Sequence, residues 1–241
     1  MAQQASAGHS GGSWLVNFPL PLHDPHYEHI NGALVVFGVI TVVSVLAHLR
    51  IKKDFESHVI PGRKVSLVTI VDILTEFLRG MVTGTLGEGG MKYFPFIASV
   101  FVFILLGNLL GLTPNGSAPT SNFNTSLSLG VASFLYYNIM GIREHGLIGY
   151  MKHFLMGLGI VGVPIAFLEI ISHAIRPVSL SIRLFVNMFV DHTVVLSFQE
   201  LVAWLLPVPL LLLGLIVSMI QAFVFAMLTA VYVKMATEHE H

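Results

Sequence analysis

Glu169, His173, Arg176, Leu180, Arg183, Asn187 and Asp191 follow one another at intervals of four, three, four, three, four and four residues. At about 100° per residue they fall on one helical stripe about 80° wide. Two carboxylates, an imidazole, two guanidinium groups and an amide in a single file are the groups that bind or pass ions. The other faces of the same segment carry Ile170, Ile171, Ile175, Ile182, Leu184, Phe185 and Phe189. The pattern therefore predicts a helix with lipid on one side and a narrow polar seam on the other. His192, next to Asp191, points about 100° away from it and off the stripe. It is the candidate whose ordinary titration range lies near neutral, which suits a proton relay. A hydrogen-bonded interior histidine is the competing reading.

Arg183 poses the sharpest question, because an unpaired arginine at the bilayer centre costs about 2.5 to 3.5 kcal/mol and cannot shed its charge. No acidic residue lies three or four positions from it; Asn187 is neutral and Asp191 is two turns away. The last apolar run, 210–233, offers Ser218, Gln221, Thr229 and Tyr232 as polar side chains, so Gln221 is the expected hydrogen-bonding neighbour. No evident carboxylate in this chain completes the pair, which points to an acidic partner in another subunit. A fixed intersubunit salt bridge and a functional contact both satisfy that electrostatics. For Glu169, His173 and Arg176, a static ion-pair seam inside the bundle competes with an ion path.

These residues are carried by membrane helices. The chain has 241 residues, of which 54% are hydrophobic and only 10% charged, far from the roughly 25% charged residues of soluble domains. Runs of about 20 apolar residues, enough to span a bilayer, occur at 31–49 and 93–112, with a shorter one at 125–140. Two longer runs follow, 154–201 and 204–235, interrupted by Pro164, Pro177, Pro207 and Pro209. At about 1.5 Å per residue each exceeds one perpendicular crossing, so each must tilt strongly or break at a proline. Between the first two spans, Leu67, Ile70, Val71, Leu74, Phe77 and Leu78 alternate at helical spacing with Asp72, Glu76 and Arg79. That predicts an amphipathic helix, lying in the interface or packed on other protein. The expected architecture is an all-α integral membrane protein forming a single membrane domain. It comprises an outside tail (1–30), a first span (31–50), an amphipathic hairpin (64–88), spans at 93–112 and 125–140, and long tilted helices at 154–201 and 207–236.

Ten of the twelve Lys and Arg residues fall between the first two spans, after the third, or near the C-terminus. By the positive-inside rule those regions are cytoplasmic, so the N-terminus is expected outside and the C-terminus inside. The two left over are Arg176 and Arg183. The first 30 residues hold no Lys or Arg and no continuous apolar run, and so lack both marks of a secretory signal.

With these features in place, the segment "SLSIRLFVNM" closely resembles the arginine motif of the subunit a family of F-type ATP synthases. The segment "QAFVFAMLTAVYVKMA", 221–236, resembles that family's final helix. The order of features also resembles the family: outside N-terminus, amphipathic hairpin, two short spans, two long helices set against a rotor ring. The resemblance implies a stator in a bacterial cell inner membrane, with no catalytic site and no cofactor of its own. It would face a ring of c subunits, each bearing one membrane carboxylate, and bind subunit b of the peripheral stalk and the rest of the complex. The translocated ion would be H⁺, with Na⁺ as the alternative. Arg183 matches the family's essential arginine. Asn187, Gln221, Glu169 and Arg176 match polar positions around it, and Asn108 an asparagine near the outer end of an earlier helix. Ser218 and Tyr232 are further polar candidates of the last helix. The chain departs from the family pattern at Val186 and at Val190-Asp191. Gly214 stands where some relatives carry an ionisable residue paired with the position of His192.

On that reading, ions enter from outside past Asp191 and His192, board a rotor carboxylate, and leave past Glu169 and His173, with Arg183 between the two paths. The absence of cysteine excludes disulfides, thiolate metal sites and cysteine nucleophiles, and a net charge of −1 gives no reason to expect nucleic acid. Neither GxxxxGK[ST] nor HExxH occurs. A secondary transporter is the main alternative, but no repeated halves are visible. His23, Asp24, His26, Glu28 and His29 form a weak metal candidate. Gly107 and Gly111 form a GxxxG pair suited to close helix contact.

Overall fold

A computed structural model describes residues 28–53, 67–113, 116–154, 159–201 and 207–237. Among them the protein is all-α, with no strand: α1 (Glu28–Lys53), α2 (Leu67–Leu86), α3 (Phe94–Gly111), α4 (Phe123–Phe154), α5 (Gly159–Leu201) and α6 (Pro207–Thr237). Four stretches among the described residues are long and apolar enough to cross a membrane: Glu28–Arg50, Glu88–Gly111, Phe167–Val195 and Pro209–Thr237. The short third span expected over 125–140 is the front part of α4, which continues to Phe154 across a non-helical Gly146. Its many polar residues, among them Asn124, Ser126, Ser133 and Asn138, keep α4 outside that set of four.

α6 forms the centre of the bundle, packing on α2, α3, α4 and α5. Its buried face repeats a small residue every four positions, Ala222, Ala226 and Ala230, beside Phe225 and Val233. Small side chains let neighbouring backbones approach where dispersion rather than hydrophobicity holds helices together. A polar tie reinforces this, since Thr229 Oγ1 donates to Phe225 O and accepts from Ser133 Oγ of α4 at 2.9 Å.

α4 and α5 approach closely at Gly130. A Cβ built there would overlap Ser181 Oγ and come within 2.7 Å of Pro177 O. Pro177 lacks an N–H and so cannot bond back to the carbonyl of His173, yet α5 stays helical through it. At about 1.5 Å per residue its 43 residues extend about 64 Å, twice the hydrocarbon thickness.

In α2, Leu78 and Val82 are buried against the bundle while Ile70, Ile73 and Phe77 stay exposed. The ring of Phe77 lies 5.9 Å from that of Phe223 and 6.3 Å from that of Phe101. The helix thus packs on its own chain along one edge and leaves an apolar edge open. Gly107 and Gly111 face the connection after α3 rather than another helix. A Cβ at Gly111 would lie 2.6 Å from Ala118 Cβ, and one at Gly107 3.9 Å from Pro119 and Thr120. Of the N-terminal cluster, His23, Asp24 and His26 lie outside the described residues; among those described, no three metal-ligating side chains gather.

Candidate ion-translocation site

The burial of α5 explains how its polar stripe is used. Leu180, Ser181, Leu184 and Met188 are its buried residues. They lie about 20° to 120° round the helix from the middle of the stripe, so the stripe runs along the edge of the packed face. Leu184, expected toward lipid, is fully buried, because packing against α4 and α6 takes the flank next to the seam. Glu169, His173, Arg176, Asn187 and Asp191 are half-buried on that edge, whereas Arg183 is exposed. Around Arg183 the surface is apolar, with Ile182, Val186 and Phe189 exposed beside it. Among the described residues no hydrogen bond or ion pair reaches its guanidinium.

On the C-terminal side of Arg183, Asn187 Nδ2 donates to Gln221 Oε1 at 2.7 Å, tying α5 to α6 one turn from the arginine. Gln221 is therefore engaged by Asn187. Its Nε2 and the Ser218 hydroxyl, one turn apart on α6, are buried with no protein partner. Buried donors of this kind are ordinarily satisfied by water.

Asp191 and His192 meet Asn108 in a cavity of about 30 Å³, walled further by Leu112, just past the end of α3, and Leu211 of α6. A water needs about 10 to 15 Å³ measured this way, so the space takes about two. Asn108 is fixed by Thr120 Oγ1, which donates to its Oδ1 at 2.6 Å, and its Nδ2 is buried with no protein partner. The angle between His192 and the stripe is what lets both side chains border one cavity, since the buried flank lies between them. Gly214 of α6 backs the same place, leaving room for the Asp191 carboxylate.

On the N-terminal side a second polar cluster forms. His173 Nε2 lies 2.9 Å from Asn138 Oδ1 of α4, with the ring between Phe134 and Tyr137 at centroid distances of 5.2 and 5.3 Å. Arg176 stacks over the Tyr232 ring at 5.3 Å, a cation–π contact. Neither Glu169 nor Arg176 forms an ion pair among the described residues. The static seam Glu169–His173–Arg176 is thus replaced by links from α5 to α4 and α6. Asn138 and Tyr150, which sequence reasoning left unused, belong to this cluster. The one available signal was an amide in the middle of an otherwise oily segment.

The chain matches the family described as ATP synthase A chain over residues 33–234. It belongs to that family. Similar proteins include ATP synthase subunit a of Bdellovibrio bacteriovorus, 42% identical over 222 residues, covering 90% of this chain and 96% of that protein. ATP synthase subunit a 2 of Syntrophotalea carbinolica is 40% identical over 215 residues, covering 89% and 88%. ATP synthase subunit a of a Sulfurihydrogenibium species is 39% identical over 220 residues, covering 89% and 99%. Family membership and the four apolar helices make this a multi-pass membrane component of an ATP synthase.

Proposed function

We propose that this chain is the ion-translocating stator subunit of its ATP synthase, with two half-channels separated by Arg183. The observation that carries the reading is the setting of Arg183: an exposed permanent cation on an apolar helix face, with a separate polar cluster on either side of it. A continuous pore would need polar lining past the arginine. Two clusters flanking a fixed cation suit two paths that meet only through a moving partner.

In this reading the partner is a carboxylate on each subunit of a rotor ring. At about 4 Å and an effective dielectric of about 20, Arg183 would attract it by roughly 4 kcal/mol, favouring its ionised form and release of its ion. Because arginine stays protonated and repels hydronium, it relays nothing itself and blocks a direct leak. Asp191, His192 and Asn108 would form the outer path, with Asn187, Ser218 and Gln221 leading toward Arg183. Glu169, His173 and Arg176, with Tyr232, would border the inner one. The N-terminus is taken as outside and the C-terminus as cytoplasmic, in a bacterial cell inner membrane, with subunit b alongside. H⁺ is the proposed ion; transport insensitive to sodium would favour it over Na⁺.

The test is Arg183→Ala in membranes holding the intact complex. The complex is expected to assemble while ATP-driven proton pumping and synthesis are lost. Coupled transport retained by that variant would overturn the reading.

A further inference from the structure

α4 does not run straight. Gly146 has φ 71° and ψ 162°, a region open to glycine and strained for other residues. In an unbroken helix Asn138 and Tyr150 would stand about 18 Å apart along the axis. Instead the Tyr150 hydroxyl donates to Asn138 Oδ1 at 2.9 Å, so the segment beyond Gly146 folds back on the helix before it. Gly141 makes the room: a Cβ there would lie 2.6 Å from Tyr150 Cε2 and 2.9 Å from the Ala236 carbonyl of α6. The tyrosine ring therefore rests on bare backbone beside the end of α6.

Asn138 sits at the centre of this arrangement. Its Nδ2 donates to Phe134 O at 2.7 Å, which fixes the amide's orientation and turns Oδ1 toward two donors, Tyr150 and His173. A carbonyl oxygen only accepts, so His173 Nε2 must carry the hydrogen. That leaves Nδ1 as the basic nitrogen of the neutral ring. Among the groups facing the imidazole are Phe134, Tyr137 and Asn138 of α4, while Glu169 and Arg176 lie one turn away on its own helix. Tyr232 of α6 lies behind Tyr137.

We propose that Asn138 is a positioning residue of the ion path on the Glu169 side, acting through His173. Its Oδ1 holds the imidazole in one tautomer and orientation on the polar stripe and anchors it to the reversed segment through Tyr150. An imidazole so held takes up and returns a proton at Nδ1 while Nε2–H stays bonded to Asn138. The inference rests on the two-path reading above and adds to it a member on α4.

The test uses the whole complex in inverted membrane vesicles, reading ATP-driven proton pumping against the amount of assembled complex. Asn138→Leu, similar in size, is expected to assemble and to pump about three- to tenfold more slowly, the rate equivalent of one hydrogen bond. His173→Gln keeps an N–H for Asn138 but takes up no proton. A purely structural tie would leave its pumping at the wild-type rate, which would overturn the proposal; the expected result is normal assembly with a loss at least as large as that of Asn138→Leu. Adding Asn138→Leu to His173→Gln should cause no further loss, and multiplied losses would equally overturn it. If Asn138→Leu fails to assemble, His173→Gln alone decides. Arg183→Ala separates the two levels: pumping retained there removes the two-path reading itself. Pumping lost there but normal in both other variants removes only the role of Asn138.

Discussion

Gly214→Ala perturbs the Asp191 cavity with a single methyl group. An ideal Cβ at Gly214 would lie 2.6 Å from Asp191 Oδ2, 3.1 Å from Oδ1 and 2.9 Å from Leu112 Cδ2. Ordinary contact begins at 3.4 Å, so the carboxylate must retreat by 3.4 − 2.6 = 0.8 Å. The methyl is pinched between α5 and α3, so moving α6 away from Asp191 does not free it from Leu112. Overpacking of this kind costs about 1 to 3 kcal/mol. If Asp191 carries protons on the proposed outer path, a shift approaching 1 Å lowers rates by up to about 100-fold. Passive proton conduction is therefore expected to fall about tenfold in a complex that still assembles. The assay is proton flux into vesicles stripped of the catalytic head and driven by a potassium diffusion potential, normalised to subunit content. Asp191→Asn, which keeps the shape and removes the charge, should lower the flux as well. Wild-type flux in Gly214→Ala would refute the reasoning, because either the carboxylate has slack that the geometry denies or the cavity is not on the path.

Two other changes test how the helices are held. Gly130→Ala drives a methyl into Ser181 Oγ and toward Pro177 O, so the amount of assembled complex should fall; Gly130→Ala with Ser181→Ala should recover part of it, as measured by blue-native electrophoresis. The Lys92–Glu144 ion pair at 2.9 Å is 52% and 36% exposed. An exposed pair contributes at most about 1 kcal/mol and is screened by salt, so Glu144→Gln should leave assembly and pumping unchanged at physiological ionic strength.

The sequence carried the α5 stripe because period 3.6 survives in any helix that keeps one face polar, and Arg183 stood out within it by lacking an acid at i±3 or i±4. What periodicity cannot supply is the direction of the neighbours. Leu184 shares the oily character of Ile182 yet is fully buried, since α4 and α6 cover one flank of the stripe and nothing in the described chain covers the other. His192 looked misplaced for the same reason: measured from the stripe it is off-axis, but measured from the cavity it and Asp191 are its two borders. Asn138 and Tyr150 were invisible because their meeting depends on a chain reversal at Gly146, and a lone glycine between Glu144-His145 and Leu147 carries no periodic signal. The departure at Gly214 becomes readable only when Asp191 is seen to occupy the space beside it.

The exposed face around Arg183 also limits what its partner can be. Lipid accounts for Ile182, Val186 and Phe189 on α5 and for Ile216, Met219 and Ile220 on α6, but not for a bare guanidinium among them. A permanently docked carboxylate would solve the electrostatics and leave the flanking clusters without a purpose. The magnitudes favour a visiting one. Holding the arginine in the bilayer costs about 2.5 to 3.5 kcal/mol, and one carboxylate at about 4 Å returns roughly 4. That insertion cost is the same with or without the partner, so the attraction to be overcome on release is roughly 4 kcal/mol, of the same order as the roughly 2.3 kcal/mol per charge that 100 mV of membrane potential supplies. An attraction of that size draws a carboxylate in yet stays within reach of the membrane potential and of competing hydrogen bonds, which is what an arginine standing between two separate polar clusters requires of its partner.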